Sequence, residues 1–255
     1  MNFFDLKDIS ERYLELVNPT TSDKVLQAGQ VLGLKTGQRV IDFGSGFGEV
    51  LALWAEHFGI SGVGIDIRWN ACQRAKEKLL ARGLTERIEI VCRNANDYLF
   101  EPNSYDVASC IGATFIWDGG FRSALQVMKK AIHAYGKLVV GEAHSQVDVL
   151  PVEYGRKEQL LTEYELLKII RHEGFELEYI LRASRDDWDR YESGNWVGLL
   201  RWIEANPDHP ERLHVIEHLR ESQDEYLQYA RQYFGWAMYI LTPCCQSGSK
   251  ENDRV

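Results

Sequence analysis

The stretch Arg39–Ile67 reads RVIDFGSGFGEVLALWAEHFGISGVGIDI. Val40 to Phe43 is a short apolar, β-branched run, the pattern of a buried strand. It breaks into Gly44-Ser45-Gly46-Phe47-Gly48, and from Glu49 the pattern turns helical, with Leu51, Leu53, Trp54, Ala55 and Phe58 as the apolar face. Gly59 and Gly62 return the chain to a second strand, Val63-Gly64-Ile65, which stops at Asp66. Strand, glycine loop, helix, strand and acid make a parallel βαβ unit, whose crossover is expected to be right-handed.

Such a loop gives a ligand access to the main chain. Glycines turn sharply, and the absent Cβ lets a ligand approach the backbone at a helix N-terminus. An acid ending the second strand can accept from both hydroxyls of a ribose, which predicts a nucleoside derivative. The dinucleotide fingerprint Gly-x-Gly-x-x-Gly/Ala wants a small third residue, but counting from Gly44 and Gly46 that position is Glu49. The glycines fall instead at 44, 46 and 48, with Asp42 two residues ahead of the first. The bland alternative is that these glycines only turn the chain and Asp66 only caps it.

This Asp-x-Gly-x-Gly-x-Gly run, followed by Asp66, resembles motif I of the class I S-adenosylmethionine-dependent methyltransferases. The resemblance implies an α/β fold of Rossmann-like type, a seven-stranded, mostly parallel sheet with the last strand antiparallel. It implies S-adenosyl-L-methionine as cofactor, with Asp42 facing the amino-acid end, which carries an ammonium group. On the same basis Asp42, Gly44, Ser45, Gly46, Gly48, Asp66, Ile67, Asn94, Ala95 and Ile111 are the expected cofactor-binding residues. At the end of the third strand the family commonly carries an acid facing the adenine amino group. The matching residue here is Asn94, whose amide oxygen could also accept, with Asp97 as the other candidate.

Composition narrows the partners. The net charge of −9 argues against nucleic acid or an anionic membrane, both of which need cationic patches. The start, MNFFDLKDISERY, lacks the basic and apolar regions of a secretion signal, and no apolar run approaches the ~20 residues of a membrane span. The five cysteines include no Cys-x-x-Cys; they read as small apolar packers in a reducing, cytoplasmic setting, with no metal site expected. Adjacent Cys244-Cys245 could do metal or redox work, but no ligand partner stands at the right spacing.

Along the rest of the chain, apolar positions 6, 9, 13, 16 and 17 predict a helix over Phe4–Val17, and Thr20 to Asp23 offer caps for a second helix to about Leu34. Asn70–Gly83 reads as a helix and Arg87–Cys92 as the third strand. Tyr105–Ile111 resembles the family's fourth strand and leads into a loop carrying Phe115 and Trp117. Phe121–Ala134 reads as the next helix, and Gly136–Glu142 resembles the fifth strand. His144 beyond it is either a candidate base, since imidazole titrates near neutrality, or a solvated loop histidine. Thr162–His172 predicts a helix and Glu176–Leu181 a strand. Tyr164 and Lys168 match a dehydrogenase dyad by spacing, but read as helix surface in a chain without that family's glycine motif.

Gly235–Leu241 fits the seventh strand, so roughly 50 residues separate two strands that ordinarily follow each other closely. Two helices are expected there, about Arg185–Glu204 and Glu211–Tyr233, broken at Asn206-Pro207-Asp208-His209-Pro210. The segment DDWDRYES, Asp186–Ser193, resembles one in a group of bacterial small-molecule methyltransferases. The insertion either packs as a hairpin or forms a lid, with Trp188 and Tyr191 meeting Phe115 and Trp117 around a small-molecule acceptor. The acids of Asp186–Glu192 would then favour a cationic or hydrogen-bond-donating acceptor.

The expected organisation is an N-terminal helical cover over residues 1–36 and an α/β cofactor domain over 37–183 and 234–243. A helical lid over 184–233 and a disordered tail over 244–255 complete it. Beside methyl transfer stand two other readings: a nicotinamide-dependent oxidoreductase, which Glu49 opposes, and a non-catalytic cofactor-binding sensor.

Overall fold

A computed structural model describes residues 1–155 and 160–244. The expected disordered tail, Cys245 included, therefore lies outside the described residues, apart from Cys244. Seven strands form one sheet: β1 Arg39–Phe43, β2 Ser61–Asp66, β3 Ile88–Cys92, β4 Tyr105–Ile111, β5 Ile132–Ser145, β6 Phe175–Arg182 and β7 Phe234–Pro243. Their order is β3-β2-β1-β4-β5-β7-β6. All neighbours pair in parallel except β7, which runs antiparallel to both β5 and β6. This is the sheet that the resemblance implies. The order reverses between β1 and β4, and in open α/β sheets ligands bind beside the carboxyl ends of strands at such a switch.

Both faces of the sheet are covered, as a parallel sheet requires. On one face lie α2 (Ser22–Leu32), α3 (Glu49–Phe58) and α4 (Trp69–Ala81), packed through Val25, Leu51, Trp54 and Leu79. Trp54 is fully buried, and its indole N–H donates to the Val25 carbonyl at 2.8 Å, tying α3 to α2. The other face carries α5 (Gly120–Ala131) and α7 (Glu163–His172), through Phe121, Leu125, Met128, Leu166 and Ile170. A one-turn helix, α6, occupies Val152–Gly155. Among the described residues no helix is long and apolar enough to cross a membrane.

The structure departs from the expected elements in two places. The first helix, α1, spans only Phe3–Ser10, followed by a 3-10 turn over Glu11–Tyr13, rather than running to Val17. Arg74 on α4 takes the carbonyls of Arg12 and Leu14, which pulls the backbone out of helical bonding. The segment then crosses above the glycine loop, where Val17 and Asn18 meet it. Strand β5 begins at Ile132, not Gly136, and runs on to Ser145, because β7 pairs with it as far as Ser145 opposite Phe234. His144 is consequently a strand residue and not a loop residue.

The insertion is helical where expected: α8 spans Arg185–Ala205 and α9 Arg212–Glu225, followed by a π-helical turn and the short α10, Arg231–Tyr233. Leu199 and Ile203 of α8 and Val215 and Leu219 of α9 form a small separate core with Leu6 of α1. A Cβ on Gly198 would lie 2.3 Å from the Ser10 carbonyl oxygen, so glycine there lets the start of the chain lie directly on α8. The N-terminal cover and the insertion are thus one assembly.

Candidate functional site

At the switch between β1 and β4 the chain turns through Gly44, Gly46 and Gly48, all with positive φ: 70, 53 and 68°. Gly44 admits no substitute, since a Cβ there would sit 2.3 Å from the Ala113 Cβ in the loop after β4. Asp66 braces the loop. One carboxylate oxygen accepts the Gly46 N–H at 2.8 Å and the other the Arg68 N–H at 2.9 Å. Each oxygen keeps capacity for a further bond. Asp42 is 2% exposed and accepts the Ser109 hydroxyl at 2.6 Å. Burial pushes its carboxyl up to about 7 against the pull of that hydroxyl, with Asp66 adding to the rise.

Over this floor lies a cavity of about 460 Å³. Gly44 and Gly46 line it, with Ile65–Arg68 from β2, Arg93–Ala95 from β3, and Ile111, Gly112, Ala113, Phe115 and Ile116 from β4 and its loop. The opposite wall comes from the N-terminal cover, as Phe3, Phe4, Lys7, Glu11 and Val17, and from Tyr191 of α8. Glu11 is 3% exposed and is held by Arg68 at 2.7 Å and Lys7 at 3.4 Å, so the cover is pinned to the end of β2. A small recess adjoins the cavity, lined among others by Asn18, Asp42 and Ser45.

Of the expected cofactor residues, Gly44, Gly46, Asp66, Ile67, Asn94, Ala95 and Ile111 line the main cavity, Asp42 and Ser45 line the recess, and Gly48 caps α3 behind them. Asn94 does not offer its amide oxygen as expected. That atom already accepts the Asn96 backbone N–H at 2.9 Å and side chain at 3.1 Å, leaving the Asn94 amide N–H groups for a ligand. Asp97 does not line the cavity.

The expected acceptor residues divide. Phe115, 73% exposed, and Tyr191 line the cavity. Trp117 is 5% exposed and meets Phe43 edge-on at 5.4 Å in the core beneath the sheet, so it does not face the cavity. Trp188 packs against the other core, beside Tyr226. Two of the acids of the insertion, Asp187 and Asp189, are structural. Asp187 caps α8 through Ser184 and binds Lys24 and Arg190, while Asp189 accepts from Arg231 at 2.9 Å and Tyr226 at 2.6 Å. They fasten the insertion rather than present charge to an acceptor.

His144 is 4% exposed, and its Nδ1 lies 3.0 Å from the Tyr239 hydroxyl. It lines a second cavity, of about 420 Å³, with Ser145, Glu163 and Arg182, which shares no lining residue with the first. Burial lowers its pKa, against Glu163, and favours the neutral ring. The structure does not bring His144 to the glycine loop. Tyr164 lies on the helix surface under Lys168, as its spacing suggested.

Sequence reasoning missed Phe3, Phe4, Lys7, Glu11, Val17 and Arg68. No local spacing links residue 11 to residue 68; the adjacent aromatic pair Phe3-Phe4 at the start was the available signal. Glu142 was missed too. It accepts the Thr114 hydroxyl beneath the loop that bears Phe115, and burial pushes its carboxyl up to about 7.

Comparison with known proteins points the same way as this geometry. A family profile described as "Methyltransferase domain" matches residues 40–136. The uncharacterized protein YjhP of Escherichia coli is 33% identical over 91% of this chain and 96% of its own. Among solved structures, a SAM-dependent methyltransferase from Geobacter sulfurreducens in complex with S-adenosyl-L-homocysteine is 31% identical. It covers 94% of this chain and 98% of its own, with a TM-score of 0.88. A second such complex, from Thiobacillus denitrificans, is 29% identical over 95% of this chain and all of its own, with a TM-score of 0.86.

Proposed function

Because the chain belongs to the S-adenosylmethionine-dependent methyltransferases, we propose that it binds S-adenosylmethionine over the glycine loop and methylates a small, largely apolar acceptor beneath the N-terminal cover. The carrying observation is the single cavity that joins the loop and Asp66 to a wall of Phe3, Phe4, Phe115, Ile116 and Tyr191. That wall has the mostly apolar character of a small-molecule site.

The residues present fit such a nucleoside. Asp66 retains acceptor capacity for ribose hydroxyls, and the main chain at Gly44 and Gly46 is bare of side chains. In the recess, Asp42, Asn18 and Ser45 offer oxygen atoms to a cationic amino-acid end. Bound there, the sulfonium supplies an already activated methyl group. The protein's share is to orient the acceptor, exclude water and fix the loop.

The carboxylates that line the cavity already have partners. Glu11 is paired with Arg68 and Lys7, Asp66 holds backbone N–H groups, and His144 lies in the other cavity.

Calorimetry tests the reading. S-adenosylhomocysteine should bind, and NAD and NADP should not. Asp66→Ala should weaken that binding by about 1.5–3 kcal/mol for each hydrogen bond lost to the charged group. Tight nicotinamide binding with none for the sulfur nucleoside would overturn it. Methyl-labelled cofactor offered with a panel of apolar amines, thiols and phenols then identifies the acceptor.

A further inference from the structure

The recess beside Asp42 has a volume of about 20 Å³ and shares the walls Val17, Gly44 and Ile111 with the main cavity. Asn18 is 7% exposed and Ser45 8%, so both are more than nine-tenths buried. The Asn18 amide oxygen and the Ser45 hydroxyl have no hydrogen-bond partner among the described residues. The orientation of the Asn18 amide is not arbitrary. Its nitrogen donates to the Ile111 carbonyl at 3.3 Å, and turning the amide over would set oxygen against oxygen. The amide oxygen is thereby left as the unused acceptor.

A buried acceptor without a donor is destabilising. Here two such atoms lie at a recess that also holds the Asp42 carboxyl, and no Lys or Arg lines it. Glu49, on the same wall, is already neutralised by Lys78 and by Arg82 at 3.0 Å. A cluster of acceptors short of donors fits one small group with several N–H bonds and positive charge, which is a primary ammonium.

Asn18 also sits on a segment with reason to respond to such a group. Residues 14–20 carry neither helix nor strand. They are held at one end by Arg74 on the Leu14 carbonyl and at the other by Arg190 on the Thr20 carbonyl, at 3.0 Å. Between these points Val17 approaches the glycine loop, where a Cβ on Gly46 would be 3.1 Å from its side chain.

We propose that Asn18 is a ligand of the ammonium group at the amino-acid end of the cofactor, and that through it the 14–20 segment selects complete S-adenosyl amino acids over the bare thionucleoside. This rests on the methyltransferase reading above. Asn18 acts as a binding residue for that end and touches no acceptor atom.

The test is a titration of the full chain and of Asn18→Ala with two ligands, S-adenosylhomocysteine and 5′-methylthioadenosine. The second has the nucleoside and the sulfur but lacks the amino-acid end. The substitution should weaken S-adenosylhomocysteine about tenfold or more and leave methylthioadenosine unchanged. Asn18→Ser carries the same comparison if the alanine variant loses its cooperative melting transition. Equal weakening of both ligands would reduce Asn18 to a prop for the Ile111 carbonyl and overturn the proposal, as would no weakening of either. Failure of the unaltered chain to bind S-adenosylhomocysteine would instead remove the cofactor reading itself, and is seen without any variant.

Discussion

The floor of the cavity and its cover are built on opposite plans. The floor is made by neighbouring strand ends, and its key interactions follow from sheet pairing: Asp66 on Gly46 in the loop beside it, and Ser109 on Asp42, which face each other in the β1–β4 register. Much of it is backbone, fixed by glycine conformation. The cover is made by side chains from stretches far apart, with Glu11 on Arg68, Asp187 on Lys24, and α8 against the carbonyl of Ser10. A floor of that kind is written into glycine spacing and strand register. A cover of the other kind is written only into pairs that meet after folding, which frees its lining to vary with the acceptor.

The sharpest way to break that division is in the loop after β4, which serves both halves. Trp117→Ala should cost about 3–5 kcal/mol in denaturant unfolding, the usual loss for a large buried aromatic. Phe115→Ala should change stability by less than about 0.5 kcal/mol and instead raise the KM for the acceptor. Similar stability losses for the two would erase the boundary between floor and cover.

The next effect concerns the pin. Arg68→Ala leaves Glu11 buried with only Lys7, and removal of one partner of a buried pair costs about 3 kcal/mol. The loss should be local: hydrogen exchange should quicken in α1 and the 3-10 turn while β1 and β4 stay protected. Uniform quickening across the sheet would mean that the cover is not a separate unit.

The smallest effect depends on pH. Burial pushes Glu192 of α8 up to about 7, against Lys7 and with Glu225 adding to the rise. A carboxyl raised in the folded state holds its proton there while the unfolded chain releases it. Between its ordinary value of 4.5 and about 7, stability therefore falls as pH rises. Asp42 and Glu142 contribute in the same sense. Glu192→Gln should gain on the order of 1 kcal/mol at pH 8 and nothing at pH 4, read from melting at the two pH values. A gain at both would point to packing instead of charge.

The same division explains what could be read from the chain. β4 falls where the family resemblance places it, at Tyr105–Ile111, and the loop glycines fall at the switch point because backbone geometry depends on near neighbours. The helix expected over Phe4–Val17 stops at Ser10 because the residues beyond it answer to Arg74, about sixty residues away, and not to their own periodicity. Trp117 and Phe115 look alike in sequence, and only the turn between them sends one into the core and leaves the other in the cavity wall. His144 lies past the run Gly136–Glu142, and it belongs to β5 because the length of that strand is set by its pairing with β7.

That pairing has a consequence for the order in which the molecule comes together. Among the described residues β6 has no sheet neighbour except β7, and β7, the last strand described, lies between β5 and β6. The strand that closes the sheet therefore emerges only after the whole insertion, and the first helix cannot seat on α8 until those later residues exist. During synthesis the glycine-loop half can gather early, while residues 1–20 wait for partners some 180 positions downstream, a connection of high contact order. Leu6, with Met1 and Ile9 beside it, is the apolar part of the cover left without its partners in that interval. Stalled or truncated chains ending before Phe234 should be the aggregation-prone species, with a cofactor loop already formed and no cover to close it.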